Sequence, residues 1–308
     1  MPERPTQLHR KSLHRRPRGD RPQRDGARGP GKARFFAHGR RGTHWRRALA
    51  AALLLAAFLY AAVNLVQYSI RAVSTRRTNA ALQAMYGDVP ETPRPEAQAE
   101  PTSTPVRELL RAYQYIGDAI LPEAAELHAE NPDMVAWLRI PGVVSLPVVY
   151  RDNRYYLDHD FNGKKSASGT LFLDEAHPLA EDTQYLVVHG HNMHDGSMFG
   201  LLSRYRRRGY LQAHPTVYLN TLYRREVYEA VGVLVLPDSD GSDGYVPYTG
   251  TRRFQSVDQF DRFAESIRER ALYWRDGAEL YPGDALLALS TCYGEDARIV
   301  VMCRRTGP

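Results

Sequence analysis

Residues 284–303, DALLALSTCYGEDARIVVMC, decide the fold: two β-rich runs, DALLALST and RIVVMC, flank a short polar turn containing a glycine. Apolar runs of this length bounded by turn residues read as strands, and so short a connection makes them antiparallel neighbours. Six more such runs lie upstream: VAWLRI, LPVVY, GTLFL, QYLVVHG, TVYLN and EVYEAVGVLVL, separated by Gly, Pro, Asn and Asp clusters. Eight short strands predict a mainly β fold closed into a barrel. One long helix precedes the last strand pair. Ser256 and Gln259 form a capping pair, and Phe260, Phe263, Ile267 and Ala271 share a face, so the pattern predicts an amphipathic helix over 257–274. Ahead of the strands, 121–130 reads as a short helix ended by Asn131-Pro132. Residues 106–119 have helical spacing in Leu109, Leu110, Tyr113 and Ile116.

Outward from this core the chain changes character. Residues 1–47 hold fifteen Lys and Arg against three acids, a local charge of +12 that leaves −6 for the rest. The basic pI of about 9.3 therefore belongs to the tail, and it gives the folded part no claim on nucleic acid. Between Arg47 and Arg71 there is no charge, and ALAAALLLAAFLYAAVNLV (48–66) is long enough for a single transmembrane helix, assigned to 48–70. The basic flank puts the tail in the cytoplasm, as a topology signal and a contact for anionic lipid, and the remainder outside the cell membrane. A cleavable signal peptide is the competing reading, but the long basic leader is unlike one. The Pro-rich sequence GDVPETPRPEAQAEPTSTP (87–105) ends a stalk assigned to 71–105, whose first part, 71–85, can continue as helix. The extracellular domain is then 106–308.

Two cysteines occur, Cys292 and Cys303. One disulfide is a possible pairing in an oxidising exterior. If their strands form a hairpin, however, the two lie toward opposite ends, which favours free thiols. Cys303, inside IVVMC, reads as a packing residue. Cys292 stands just past an apolar strand, held by the sheet yet open to a groove, with Arg298 at the start of the next strand. In YLVVHGHNMHDGSMFG (185–200) a strand runs into Gly190 and His191, and His191 is the acid/base candidate. Ordinary thiol and imidazole pKa values of about 8.5 and 6.5 let a close pair exchange a proton. Taken alone, these features also fit ordinary packing. A metal site is the rival use of His189, His191 and His194, but neither HExxH nor a CxxC pair is present to complete it.

Several blocks together resemble the class B sortases: NPDMVAWLRIPG (131–142), LPVVY (146–150), DNRYYLDHDFNGKKSASGTLFLD (152–174), HGHNMHDGSMFG (189–200), and LSTC (289–292) followed by Arg298. The likeness covers 121 to the C-terminus. Two departures are visible: His189 stands where the family often has Tyr, and the interval from Cys292 to Arg298 is short. The resemblance implies a sortase-type eight-stranded barrel and a membrane-anchored cysteine transpeptidase without cofactor or metal. In that chemistry Cys292 is the nucleophile, His191 the acid/base and Arg298 the oxyanion-stabilising cation. Ser290, Thr291 and Asn192 are the expected substrate contacts. The implied partners are secreted proteins bearing a C-terminal sorting motif and an acceptor amine from a peptidoglycan cross-bridge or a pilin lysine. A cysteine peptidase that hydrolyses the same motif, or a scaffold that has kept the barrel, are the alternatives.

Overall fold

The computed structural model describes residues 44–87, 120–179, 183–239, 241–250 and 253–306. The helix expected over 106–119, the tail before 44 and the stalk residues 88–105 lie outside that set. The chain divides into two units, Met1–Phe58 and Leu59–Pro308. Helix α1 (His44–Tyr86) is the one helix among the described residues that is long and apolar enough to cross a membrane. Its apolar side chains Leu53, Leu54 and Phe58 are exposed. The expected short helix is α2 (Pro122–Glu130), with Pro122 at its start and Asn131 capping its end.

Nine strands follow among the described residues. They are β1 (Met134–Ile140), β2 (Val144–Val149), β3 (Leu171–Leu173), β4 (Tyr185–His189), β5 (Thr216–Thr221), β6 (Arg225–Pro237), β7 (Ala271–Trp274), β8 (Leu286–Tyr293) and β9 (Ala297–Arg305). The hydrogen-bonded order β5-β1-β2-β3-β4-β8-β9-β6 is closed by a β5–β6 pairing, so eight strands form the barrel and β7 adds to the edge of β6. Closure depends on the length of β6. Its first residues pair with β5, and the run from Tyr228 to Pro237 pairs with β9. Two joints are parallel, β2–β3 and β4–β8, and the second of these carries the site.

Alternation sorts the core. Leu287, Leu289, Ile299, Val301 and Cys303 point into the barrel, where Met198, Phe199, Leu202 and Tyr205 fill the interior. The alternate residues Leu286, Ala288, Val300 and Met302 face outward with Tyr185 and Val187, under Phe260 and Ile267 of α3 (Val257–Glu269). A third cluster joins α2 to Trp137, Tyr156 and Phe172 and takes in Leu82 and Tyr86 from the end of α1. Residues 71–86 are thus helical and end packed on the barrel, with the Tyr86 ring stacked on Trp137 at 4.1 Å.

The late helix is shorter than the periodicity predicts. Ser256 caps it by accepting from the Gln259 amide, as the sequence pattern indicates, but the helix stops at Glu269 and 271–274 becomes β7. Ala271 continues the apolar face of the helix, which makes the periodicity misleading there. The pull toward a strand is tertiary: Trp274 pairs with Gly232 across β6–β7 and its ring lies over that glycine so closely that any Cβ would collide with it. The Trp274 indole N–H also donates to the Ala278 carbonyl at 2.8 Å. Gly232→Val is expected to destabilise the barrel by about 3 kcal/mol, the upper part of the usual range for overpacking. Denaturant unfolding checks this, and an unchanged midpoint would contradict the packing described.

Candidate active site

The parallel joint sets the level of the candidate residues. His189 of β4 is in register with Ser290 of β8, so two residues further on His191 stands level with Cys292. The ends of both strands are tied together, since the Gly190 amide donates to the Ser290 carbonyl at 3.2 Å and the Thr291 hydroxyl donates to the Gly190 carbonyl at 2.7 Å. On the other side of β8, Cys292 is directly paired with Arg298 of β9. Neighbouring strands are about 4.8 Å apart, so three side chains converge from adjacent strand ends. Parity puts Cys292 and Arg298 on the outward face with Ala288 and Val300, outside the filled barrel interior. All three line one groove of about 290 Å³, walled by Asn153 and Leu157, Phe172 and Asp174, and Tyr245 and Tyr248.

The glycine ahead of His191 has a packing reason. A Cβ at Gly190 would run into the Leu171 side chain and come within 2.8 Å of the Phe199 ring. The chain can turn from β4 into the histidine loop only because nothing projects there. The loop is closed by the Phe199 amide donating to the His191 carbonyl at 3.0 Å and by a bridge between Asn192 and Met198. The His191 ring donates from Nε2 to the Leu157 carbonyl at 2.6 Å. Because a carbonyl only accepts, the proton of the neutral ring sits on Nε2, which leaves the Nδ1 lone pair for proton transfer.

Cys292 is exposed and Cys303 is buried, and both are free thiols. Burial pushes the Cys303 thiol well above its ordinary pKa, so it stays protonated and inert. Arg298 is gripped by Asp238, whose two carboxylate oxygens accept from Nε and Nη2. Asp238 is itself fixed by its amide, which donates to the Asp296 carbonyl at 2.9 Å. Partial burial is the largest single influence on Arg298 and opposes its charge, but the Asp238 hydrogen bond, together with the neighbouring Tyr248, Cys292 and Asp238 charges, outweighs it, and the guanidinium pKa is raised. Two of its five N–H groups are taken by Asp238, so three remain for a ligand. Arg304 and Arg305 lie at the far end of β9, bonded to the Glu279 carbonyl and to Glu226.

The three expected substrate contacts fare differently. Ser290 and Thr291 are fully buried, and neither is among the residues that line the groove. The Ser290 hydroxyl is hydrogen-bonded to the Tyr248 hydroxyl at 2.8 Å, while Thr291 is committed to Gly190. Asn192 stands beside the groove, and its side-chain amide donates to the Cys292 carbonyl at 2.9 Å, tying the histidine loop to the cysteine strand.

The histidines do not converge. His189 bonds to Asp174 at 2.8 Å, His191 to Leu157, and His194 is exposed. Asp174 also takes His177 and Asn153. Burial acts to raise its pKa, yet the bonds from His177 and His189 hold its carboxyl well below the usual range. No group of three potential metal ligands occurs among the described residues.

Sequence reading missed Asp238, Tyr248, Leu157 and Asp174. Only Asp238 left a trace, as an acid immediately beyond the long strand β6. Leu157 acts through its backbone and has no sequence signal.

No family model matches the chain. Sortase B of Listeria monocytogenes is 28% identical over 182 residues, covering 58% of this chain and 70% of that protein. Among solved structures, sortase B from Clostridium perfringens is 29% identical, with a TM-score of 0.54 over 59% of this chain and 99% of that one. Sortase B from Bacillus anthracis covers 78% of this chain and 99% of its own at a TM-score of 0.61; at 23% identity it speaks for the fold alone.

Proposed function

We infer that this chain, a class B sortase in sequence and fold, performs transpeptidation with Cys292 as nucleophile, His191 as acid and base, and Arg298 as the cation at the oxyanion. The observation that carries the reading is the register: His191 two residues beyond the end of β4, whose last pair with the parallel strand β8 is His189 with Ser290, Cys292 two residues further along β8, and Arg298 opposite the cysteine, all on one groove.

In the first half-reaction Cys292 Sγ, as thiolate, attacks the carbonyl carbon of the scissile peptide bond in a sorting motif. Negative charge moves to the carbonyl oxygen, where the free N–H groups of Arg298 can meet it. The amine leaves with a proton from His191 and the acyl group stays on sulfur as a thioester. In the second half-reaction His191 takes the proton from an incoming amine, which attacks the thioester and releases Cys292. Asn192 contributes by holding the Cys292 backbone, and Asp238 by fixing the plane of the guanidinium.

The partners in this reading are secreted proteins with a C-terminal sorting motif, and an amine of a peptidoglycan cross-bridge or a pilin lysine. α1 would anchor the enzyme in the cell membrane with its basic tail in the cytoplasm and the barrel outside. Incubating the full chain in detergent with a library of sorting-motif peptides and candidate amines, with mass analysis of products, tests the proposal. An amine adduct on the cleaved peptide is expected, and cleavage with water as sole acceptor would overturn the transferase reading.

A chelator should leave the rate unchanged, because each proton transfer needs only Cys292 and His191 and the neighbouring His189 is committed to Asp174. Lost activity restored by zinc would contradict this.

A further inference from the structure

We propose that the end of α1 is more than an anchor: residues 75–79 brace the loop that carries His191, with Arg76 and Asn79 as positioning residues. This rests on the transpeptidase reading above.

Ala72, Thr75, Asn79, Leu82 and Tyr86 recur at helical spacing on one side of α1, and Leu82 and Tyr86 at the end of that stripe are buried. The far end is fixed by the Tyr86–Trp137 stack, by Asn220 donating to the Tyr86 hydroxyl at 3.1 Å, and by Gln83 donating to the Ser145 carbonyl at 2.8 Å. The nearer turns meet the catalytic side. Thr75 is hydrogen-bonded to Ser168 at 2.8 Å, the Asn79 amide lies 3.9 Å from Met198 Sδ, and Arg76 Nε is 3.7 Å from Asp195 Oδ2.

Two features of the loop make those contacts consequential. Met198 has a φ of 51°, the one non-glycine residue with positive φ among the described residues, and it is held there by burial of its side chain. It is bridged to Asn192, so Asn79 touches the residue opposite the one that grips the Cys292 carbonyl. Asp195, with its side chain only 7% exposed, uses Oδ1 to accept from the Ser197 amide and hydroxyl, while Oδ2 has no hydrogen-bond partner. Arg76 is the cation paired with that buried oxygen. A carboxylate so enclosed needs a counter-charge far more than an exposed one does. The helix thereby bears on the tip of the loop between His191 and Phe199 through Asp195 and on its returning arm through Met198, and placement errors of this kind reduce turnover rather than affinity.

The test uses the full chain in detergent micelles. Arg76→Glu, which sets a carboxylate against Asp195, is expected to lower kcat about tenfold. KM for the sorting peptide should be unchanged, because Arg76 is remote from the groove, and the variant should remain folded with a melting temperature lowered by the uncompensated Asp195 carboxylate. Arg76→Lys should recover most of the rate, and Asn79→Ala should lower it in the same sense. Arg77→Glu, one residue along, is the control for charge alone. Amide hydrogen exchange over 191–199 should quicken in Arg76→Glu and not in Arg77→Glu, a readout independent of turnover. Absence of activity in the wild type would sink the functional reading, whereas the brace fails if the two glutamate variants match in exchange. It also fails if the loss falls on KM.

Discussion

Cys292→Ala is expected to abolish transpeptidation while the barrel unfolds at the wild-type temperature. The thiol is exposed at the end of β8, so alanine removes the reacting sulfur without opening a cavity. The only other sulfur nucleophile in the chain, Cys303, faces the barrel interior, where burial holds its thiol protonated. It cannot take over. Cys303→Ala should keep the activity and lose some stability instead, since it deletes a fully buried side chain. Turnover and thermal unfolding of the two purified variants check both statements, and a folded but inactive Cys303→Ala beside an active Cys292→Ala would reverse the assignment.

The second large effect concerns the guanidinium. Arg298→Lys keeps a positive charge but loses the flat fork whose two N–H groups sit on Asp238 and whose remaining three are free. An ammonium must choose between Asp238 and the developing oxyanion, so a loss of about 10²-fold in kcat is expected, the scale of one missing oxyanion donor. Arg304→Lys and Arg305→Lys should be near neutral in turnover, because Arg304 is paired with Leu286 at the start of β8, far along the strand from Cys292. Steady-state kinetics on the three variants decides; an active Arg298→Lys beside an inactive Arg304→Lys would mean that the wrong arginine is named.

Much of the architecture was legible because the eight barrel strands are dense in Val, Leu, Ile and Tyr and are bounded by turn residues. β7 was not, since 271–274 follows a capped amphipathic helix and Ala271 extends its apolar face; the preference for a strand comes from Gly232 and Trp274, about forty residues apart and meeting only in the fold.

In the site, the position of Cys292 at a strand end and of Arg298 on its neighbour could be read from a single hairpin. The level of His191 could not, because it depends on a parallel joint between strands a hundred residues apart. The expectation for Ser290 and Thr291 carried its own warning: consecutive residues of a strand point to opposite faces, so both could not line one groove. Leu157 and Asp238 act through a backbone carbonyl and an ion pair from separate loops, which no local pattern encodes.

The most direct test of the whole account is the identity of the covalent intermediate. The full chain is incubated with a sorting-motif peptide, quenched in acid before amine is added, digested, and the cysteine peptides are weighed. The account predicts the acyl fragment as a thioester on the peptide containing Cys292, discharged when an amine is supplied and absent in Cys292→Ala. An acyl group on any other residue, or turnover with no acyl-enzyme in a trap that captures the leaving amine, would contradict it.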